Sequence, residues 1–131
     1  MDSYHIWCNL KPGVRDLEFA AAVAAYLGRL QRDGLIAGHR LTRRKLGFGP
    51  PGLGEFHVVV ETEHLAQLER AFQRVATRSG AVERLHARVY SSVQDVQFAL
   101  YRDFPDPVRK RARAASGPSG GRRSAGRTRP H

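Results

Sequence analysis

Tyr4-His5-Ile6-Trp7-Cys8-Asn9-Leu10 alternates in side-chain character, the signature of a strand with two different faces. Tyr4, Ile6, Cys8 and Leu10 lie on one face and His5, Trp7 and Asn9 on the other. The first set can be buried under helices. The second combines an aromatic ring with polar groups, so it suits a lined cavity or a partner surface better than a plain core. This stretch is therefore read as the central strand of a small sheet.

Downstream, Lys11-Pro12-Gly13-Val14-Arg15 reads as a turn, and Asp16 as the N-cap of a helix that ends at Gly34. Leu17, Ala20, Val23, Ala24, Leu27 and Leu30 recur at helical spacing and predict its buried face. Leu35 to Leu46, closing on Arg43-Arg44-Lys45, predicts a second strand at a sheet edge, where cations discourage unwanted pairing. Gly47 to Gly54 contains a G-x-G-x-x-G string. Two prolines interrupt it and a strand follows instead of a phosphate-binding helix, so it reads as a hairpin connection.

Glu55 to Thr62 predicts a third strand, with Phe56, Val58 and Val60 opposite His57, Val59 and Glu61. Thr62 is the expected cap of a second helix carrying Leu65, Leu68, Phe72 and Val75 on one side, and Arg70, Arg74 and Arg78 form a solvated row on another. Ser79-Gly80 stops that helix. A fourth strand is expected from Leu85 to Ser91, where Leu85, Ala87 and Val89 alternate with His86, Arg88 and Tyr90; Val93 to Phe104 fits strand and helix alike.

The 131 residues allow one ordinary core, which divides the chain into a domain at 1–104 and a tail at 105–131. The net charge of +10 is uneven: through Phe104, 14 Lys/Arg oppose 11 Asp/Glu, whereas the remainder sets 8 against Asp106 alone. The tail, rich in Pro, Gly, Ser, Ala and Arg, cannot bury enough surface to offset its ordering entropy and is expected to be disordered. Weak, non-specific attraction to polyanions is expected of it. Cys8 is the only cysteine, which excludes an internal disulfide or a cysteine-based zinc cluster. No run approaches the ~18 apolar residues of a membrane span, and no signal-peptide pattern precedes the first strand. A cytoplasmic protein without membrane contact is expected.

The order strand, helix, strand, strand, helix, strand, with right-handed crossovers, predicts an α+β ferredoxin-like βαββαβ domain: an antiparallel sheet with two helices on one face and the first strand between the third and the fourth. The element order and the two-faced strands over residues 3–104 make the chain resemble an uncharacterised group of the dimeric α+β barrel (ferredoxin-like) superfamily. That superfamily includes antibiotic-biosynthesis-type monooxygenases, haem-degrading enzymes and stress-responsive barrel proteins. The resemblance implies a homodimer formed through the open sheet faces. It also implies a small apolar or aromatic ligand, held between sheet and helices or inside the barrel. No catalytic motif of those enzymes is present, so no family residue is carried over.

On the open face the expected ligand-pocket residues are Trp7, Asn9, His57, His86, Arg88 and Tyr90. The anticipated register sets His57 and His86 beside Asn9, and Trp7 between Val59 and Arg88, close enough for a cation–π contact. Two histidines on neighbouring strands suit acid/base work or a hydrogen-bonded pocket wall; a metal site would need a third ligand that no short-spaced signature supplies. No metal and no cofactor are expected. Arg88 favours a ligand with a carboxylate end, and Cys8 reads as a core residue. The function expected is binding of a small apolar or anionic molecule by a homodimer. Two alternatives are a cofactor-independent monooxygenase or isomerase-like enzyme, and an RNA-binding module of RNA-recognition type. In the latter, Trp7 falls one residue out of register for base stacking, and His57 and Val59 replace the third-strand aromatics.

Overall fold

A computed structural model describes residues 1–77 and 80–105. Its elements are β1 (Asp2–Leu10), α1 (Asp16–Arg32), β2 (Gly38–Arg43), β3 (Phe56–Thr62), α2 (Leu65–Ala76), α3 (Gly80–Tyr90) and β4 (Val93–Arg102). The strands form one four-stranded sheet in the order β2-β3-β1-β4. This is the ferredoxin-like arrangement, with β1 central and β2 on an edge as expected, and with one helix more than the sequence reading allowed. Arg78 and Ser79, and the tail from 106 onward, lie outside the described residues.

The two-faced reading of β1 and β3 holds. Phe56, Val58 and Val60 are buried, and His57, Val59 and Glu61 between them are only half-buried. Cys8 and these three residues meet Phe19, Val23, Leu27 and Leu30 of α1, Ala71 of α2 and Val82 of α3 in one core. The α1 face is rotated relative to expectation. Leu17 and Ala24 are exposed and Phe19 and Ala22 are buried instead, because Phe19 offers the larger apolar area and packs edge-on against Phe56 at 5.2 Å.

Two caps differ from the sequence reading. Asp16 lies inside the first turn of α1, where it pairs with Arg43 at 3.0 Å, and the N-cap is Arg15 without a side-chain bond. Thr62 is buried at the end of β3, its hydroxyl donating to the Asp2 carbonyl, and His64 caps α2 by accepting from Gln67 N–H. The buried Gln67 amide ties that end of α2 to the end of α1: its Nε2 donates to the Gly34 carbonyl at 3.0 Å and its Oε1 accepts from Glu63 N–H at 2.7 Å. Gly34, at φ 75°, makes the left-handed stop expected after α1.

The expected strand from Leu85 to Ser91 is instead part of helix α3, and β4 is the ambiguous stretch after it. Val82 is buried, and Leu85, His86 and Val89 are partly buried at helical spacing from it, while Arg84 and Arg88 are exposed. Leu85 and Val89 of the expected alternation belong to that helical pattern, and α3 packs on α1 and α2. His86, Arg88 and Tyr90 are therefore on a helix and not on the open sheet face. Beside β1, β4 takes the place intended for them: Lys11 N–H donates to the Ser92 carbonyl at 2.9 Å, and Tyr4 stacks on Phe98 with centroids 5.8 Å apart. No helix among the described residues is long and apolar enough to cross a membrane.

Candidate functional site

Antiparallel pairing of β1 with β3 sets Trp7 opposite His57 and His5 opposite Val59, two residues from the anticipated register. Because side chains repeat every second residue, a two-residue shift keeps every group on its face and changes only its neighbour. His57 consequently stands beside Trp7, ring planes 4° apart and centroids 4.7 Å apart. His5, also on the open face, brings its Nδ1 to 2.9 Å from His57 Nε2. The two imidazoles lie 16° from coplanar with centroids 5.1 Å apart, the arrangement of rings joined end to end through one N–H···N bond. Trp7 is also near-parallel to His5, at 5.7 Å, so the indole spans both rings. Tyr101 of β4 meets His5 edge-on at 4.9 Å.

Burial, and after it the nearness of His5, hold His57 below the usual imidazole value. Protonating both rings would place two cations in bonding contact. On the opposite sheet face, burial pushes the Cys8 thiol up to about 11, which keeps it protonated. Cys8 is a core residue, as expected.

A cavity of about 200 Å³ opens beside the imidazole pair, lined by Trp7 and His57 together with Thr42, Arg44, Phe48 and Leu53 among others. Its far wall is the β2–β3 loop, and Arg44 fastens it: Nη2 of the half-buried guanidinium donates to the carbonyls of Leu53 and Gly54. Gly54 fits only without a side chain, since a Cβ there would come within 2.6 Å of the Cys8 backbone. Arg43, also at the rim, is neutralised by Glu55 at 2.7 Å and Asp16 at 3.0 Å. Among the described residues, no carboxylate pairs with Arg44. The cavity thus presents an aromatic wall, an imidazole and a guanidinium bound only to neutral carbonyls.

Of the six predicted residues, the structure brings Trp7 and His57 together. Asn9 is close by in a bridging role: its Oδ1 accepts from Glu55 N–H at 2.9 Å and its Nδ2 donates to Asp95 Oδ2 at 3.1 Å, linking the start of β3 to the start of β4. His86 and Tyr90 line a separate hollow of about 420 Å³ with Val75, Ala76 and Glu83. Arg88 lines another, of about 380 Å³, with Arg15, Ser91 and Ser92. The expected Arg88–Trp7 contact is ruled out by the helical course of α3. His5, Arg44, Phe48 and Tyr101 were not among the predicted residues. His5 was legible by its alternation with Trp7, and Arg44 by its place in the basic run that leads into a Gly/Pro loop. Among the described residues, no group of three or more His, Cys, Asp and Glu side chains could hold a metal ion.

Comparison with solved structures returns the same fold. The protein At3g17210 of Arabidopsis thaliana superposes with a TM-score of 0.64 at 10% identity, over 81% of this chain and 98% of that one. SnoaB, a cofactor-independent oxygenase from Streptomyces nogalater, gives a TM-score of 0.59 at 10% identity, over 80% and 97%. A dimeric ferredoxin-like protein of unknown function from Thermobifida fusca gives 0.54 at 16% identity, over 79% and 92%. At these identities the likeness is one of fold. No curated protein matches the chain. Residues 1–116 match the model of a family of unknown function, DUF6614, and a match over that much of the chain makes this protein a member of that family.

Proposed function

We infer that this domain is a homodimeric small-molecule-binding protein whose open sheet face carries the ligand site, with a second copy closing the cavity from above. One observation carries this reading: Trp7, His57 and Arg44 converge on a single cavity at the one sheet face that no helix covers. A ligand site is usually a concave region with apolar and aromatic walls and a few polar groups. An exposed face holding Trp7, Val59 and Tyr101 is also a surface that a second copy would shield from water. The dimeric Thermobifida fusca protein of the same fold supports the homodimer. Arg44 takes the part first given to Arg88, favouring a ligand with an anionic end. The imidazole pair supplies acid/base capacity at the same place, the feature that favours a cofactor-independent oxygenase or isomerase-like activity as a second reading.

Native mass spectrometry of the purified protein tests the site. The expected result is a retained small molecule that His57→Ala loses while the variant stays folded. Retention unchanged by His57→Ala, and by Trp7→Ala, would remove the open face as the site. The basic tail adds salt-sensitive attraction to polyanions, and shortening the chain after Asp106 should abolish most retention on a nucleic acid column at physiological salt. The single cysteine, buried in the core, accords with a cytoplasmic location.

A further inference from the structure

Arg44 and His57 line the same small cavity with opposite electrostatic needs, and His5 is joined to His57 through the shared N–H···N contact. Nη2 of Arg44 is committed to the Leu53 and Gly54 carbonyls, which leaves the Nε and Nη1 donors of a fully charged guanidinium. An anion beside it would be held by charge-assisted bonds. The same anion would stand close to His57, which lines the cavity.

Either ring can carry the proton of the shared N–H···N bond, and one of the two arrangements leaves a proton acceptor on His57. With its proton on Nε2, His57 donates to His5 Nδ1 across the 2.9 Å contact and keeps Nδ1 as a free acceptor. A proton arriving at Nδ1 makes His57 a cation whose charge is shared through that bond and lies against the parallel indole of Trp7. The charged and titratable groups around the pair are few. Tyr101 approaches from β4, Arg40 stands on β2 opposite Val59, Glu61 lies further along β3, and Arg43 and Glu55 at the rim neutralise each other. Burial disfavours the His57 cation, and a carboxylate lodged beside it reverses that preference.

We propose that this cavity is a proton-coupled binding site for a planar carboxylate: Arg44 holds the anionic end, the flat body lies along Trp7 and Phe48, and the His5–His57 pair takes up one proton as the ligand enters. The proton comes from solvent and is released when the ligand leaves, so no bond of the ligand is made or broken. This specifies the ligand class and pH response of the site proposed above, and it rests on that reading.

Isothermal titration of the full chain with 2-naphthoate, in buffers of different protonation enthalpy at pH 6, 7 and 8, measures both affinity and proton uptake. The expected result is net uptake approaching one proton per site near pH 7. Affinity should weaken above that by up to about tenfold per pH unit, the slope of one linked proton. 2-Naphthamide, of the same shape but uncharged, should bind at least about tenfold more weakly, the worth of a charge-assisted bond. His57→Gln should bind 2-naphthoate without proton uptake; if that variant fails to fold, His5→Gln, which removes the partner of the shared bond, should show uptake reduced well below wild type. Binding of 2-naphthoate without proton uptake, or equal binding of the amide, would overturn the coupling and leave the open-face site standing. Failure of the wild type to bind either compound would overturn the coupling, while a naturally retained molecule lost in His57→Ala would still uphold the site.

Discussion

Asn9 shows how a side chain read as a pocket wall can serve as a fastener. Its amide satisfies the first N–H of the β3 segment and reaches Asp95, which adopts a left-handed φ of 55° at the start of β4; Asp tolerates that conformation better than most residues. Asn9→Ala leaves the Glu55 N–H without its acceptor and should cost about 1–2 kcal/mol in urea unfolding, with ligand binding at Trp7 and His57 little changed. His57 makes a second prediction through its depressed value. The folded state binds fewer protons at His57 than the unfolded chain does, so this stabilising contribution is complete above the ordinary imidazole value and is lost as pH falls toward the folded one. Stability should therefore decline as pH drops through about 6.5, and His57→Gln should flatten that decline in denaturation curves taken from pH 8 to 5. An unchanged slope in the variant would assign the effect to another group.

At the scale of elements, the strands were legible where one face is apolar and the other is not. β1 and β3 alternate without interruption because helices cover one side of the sheet only, and a two-residue register error leaves their faces intact. α3 was not legible as a helix. Leu85, Ala87 and Val89 alternate over a run too short to separate periods of 2 and 3.6, and Val82, whose burial decides the matter, lies before that run. β4 was ambiguous for the converse reason: Phe98, Leu100 and Tyr101 are all exposed in the single chain, so no buried face imposes a clean pattern. His86, Arg88 and Tyr90 left the site with α3. Arg44 and Tyr101 entered it through a loop and an edge strand, whose placement depends on contacts distant in sequence. Val82→Ala tests the helical assignment, because it removes a buried anchor of α3 and should cost about 1.5–3 kcal/mol. Arg84→Ala, on the exposed side of the same helix, should stay within about 0.5 kcal/mol. Equal costs at both positions would contradict the α3 packing.

At the scale of the whole molecule, the distribution of exposed groups is unequal. The helix-covered face of the sheet carries the apolar core, with an apolar cavity of about 60 Å³ beside Tyr4, Tyr26 and Val60, whereas the open face carries a tryptophan, a paired imidazole system and a half-buried valine, with Tyr101 at its β4 margin. A second copy placed on this face turns an exposed apolar surface into a barrel interior and the shallow cavity beside Arg44 into an enclosed one. Sedimentation equilibrium of the wild type and of Val59→Glu, whose substitution lies opposite His5 in the middle of that face, tests this most directly. A two-chain species at micromolar concentration is expected for the wild type and a folded single chain for Val59→Glu, because an unpaired carboxylate would be buried in the interface. A wild type that stays a single chain at every concentration, or a dimer that Val59→Glu leaves intact, would contradict this interface.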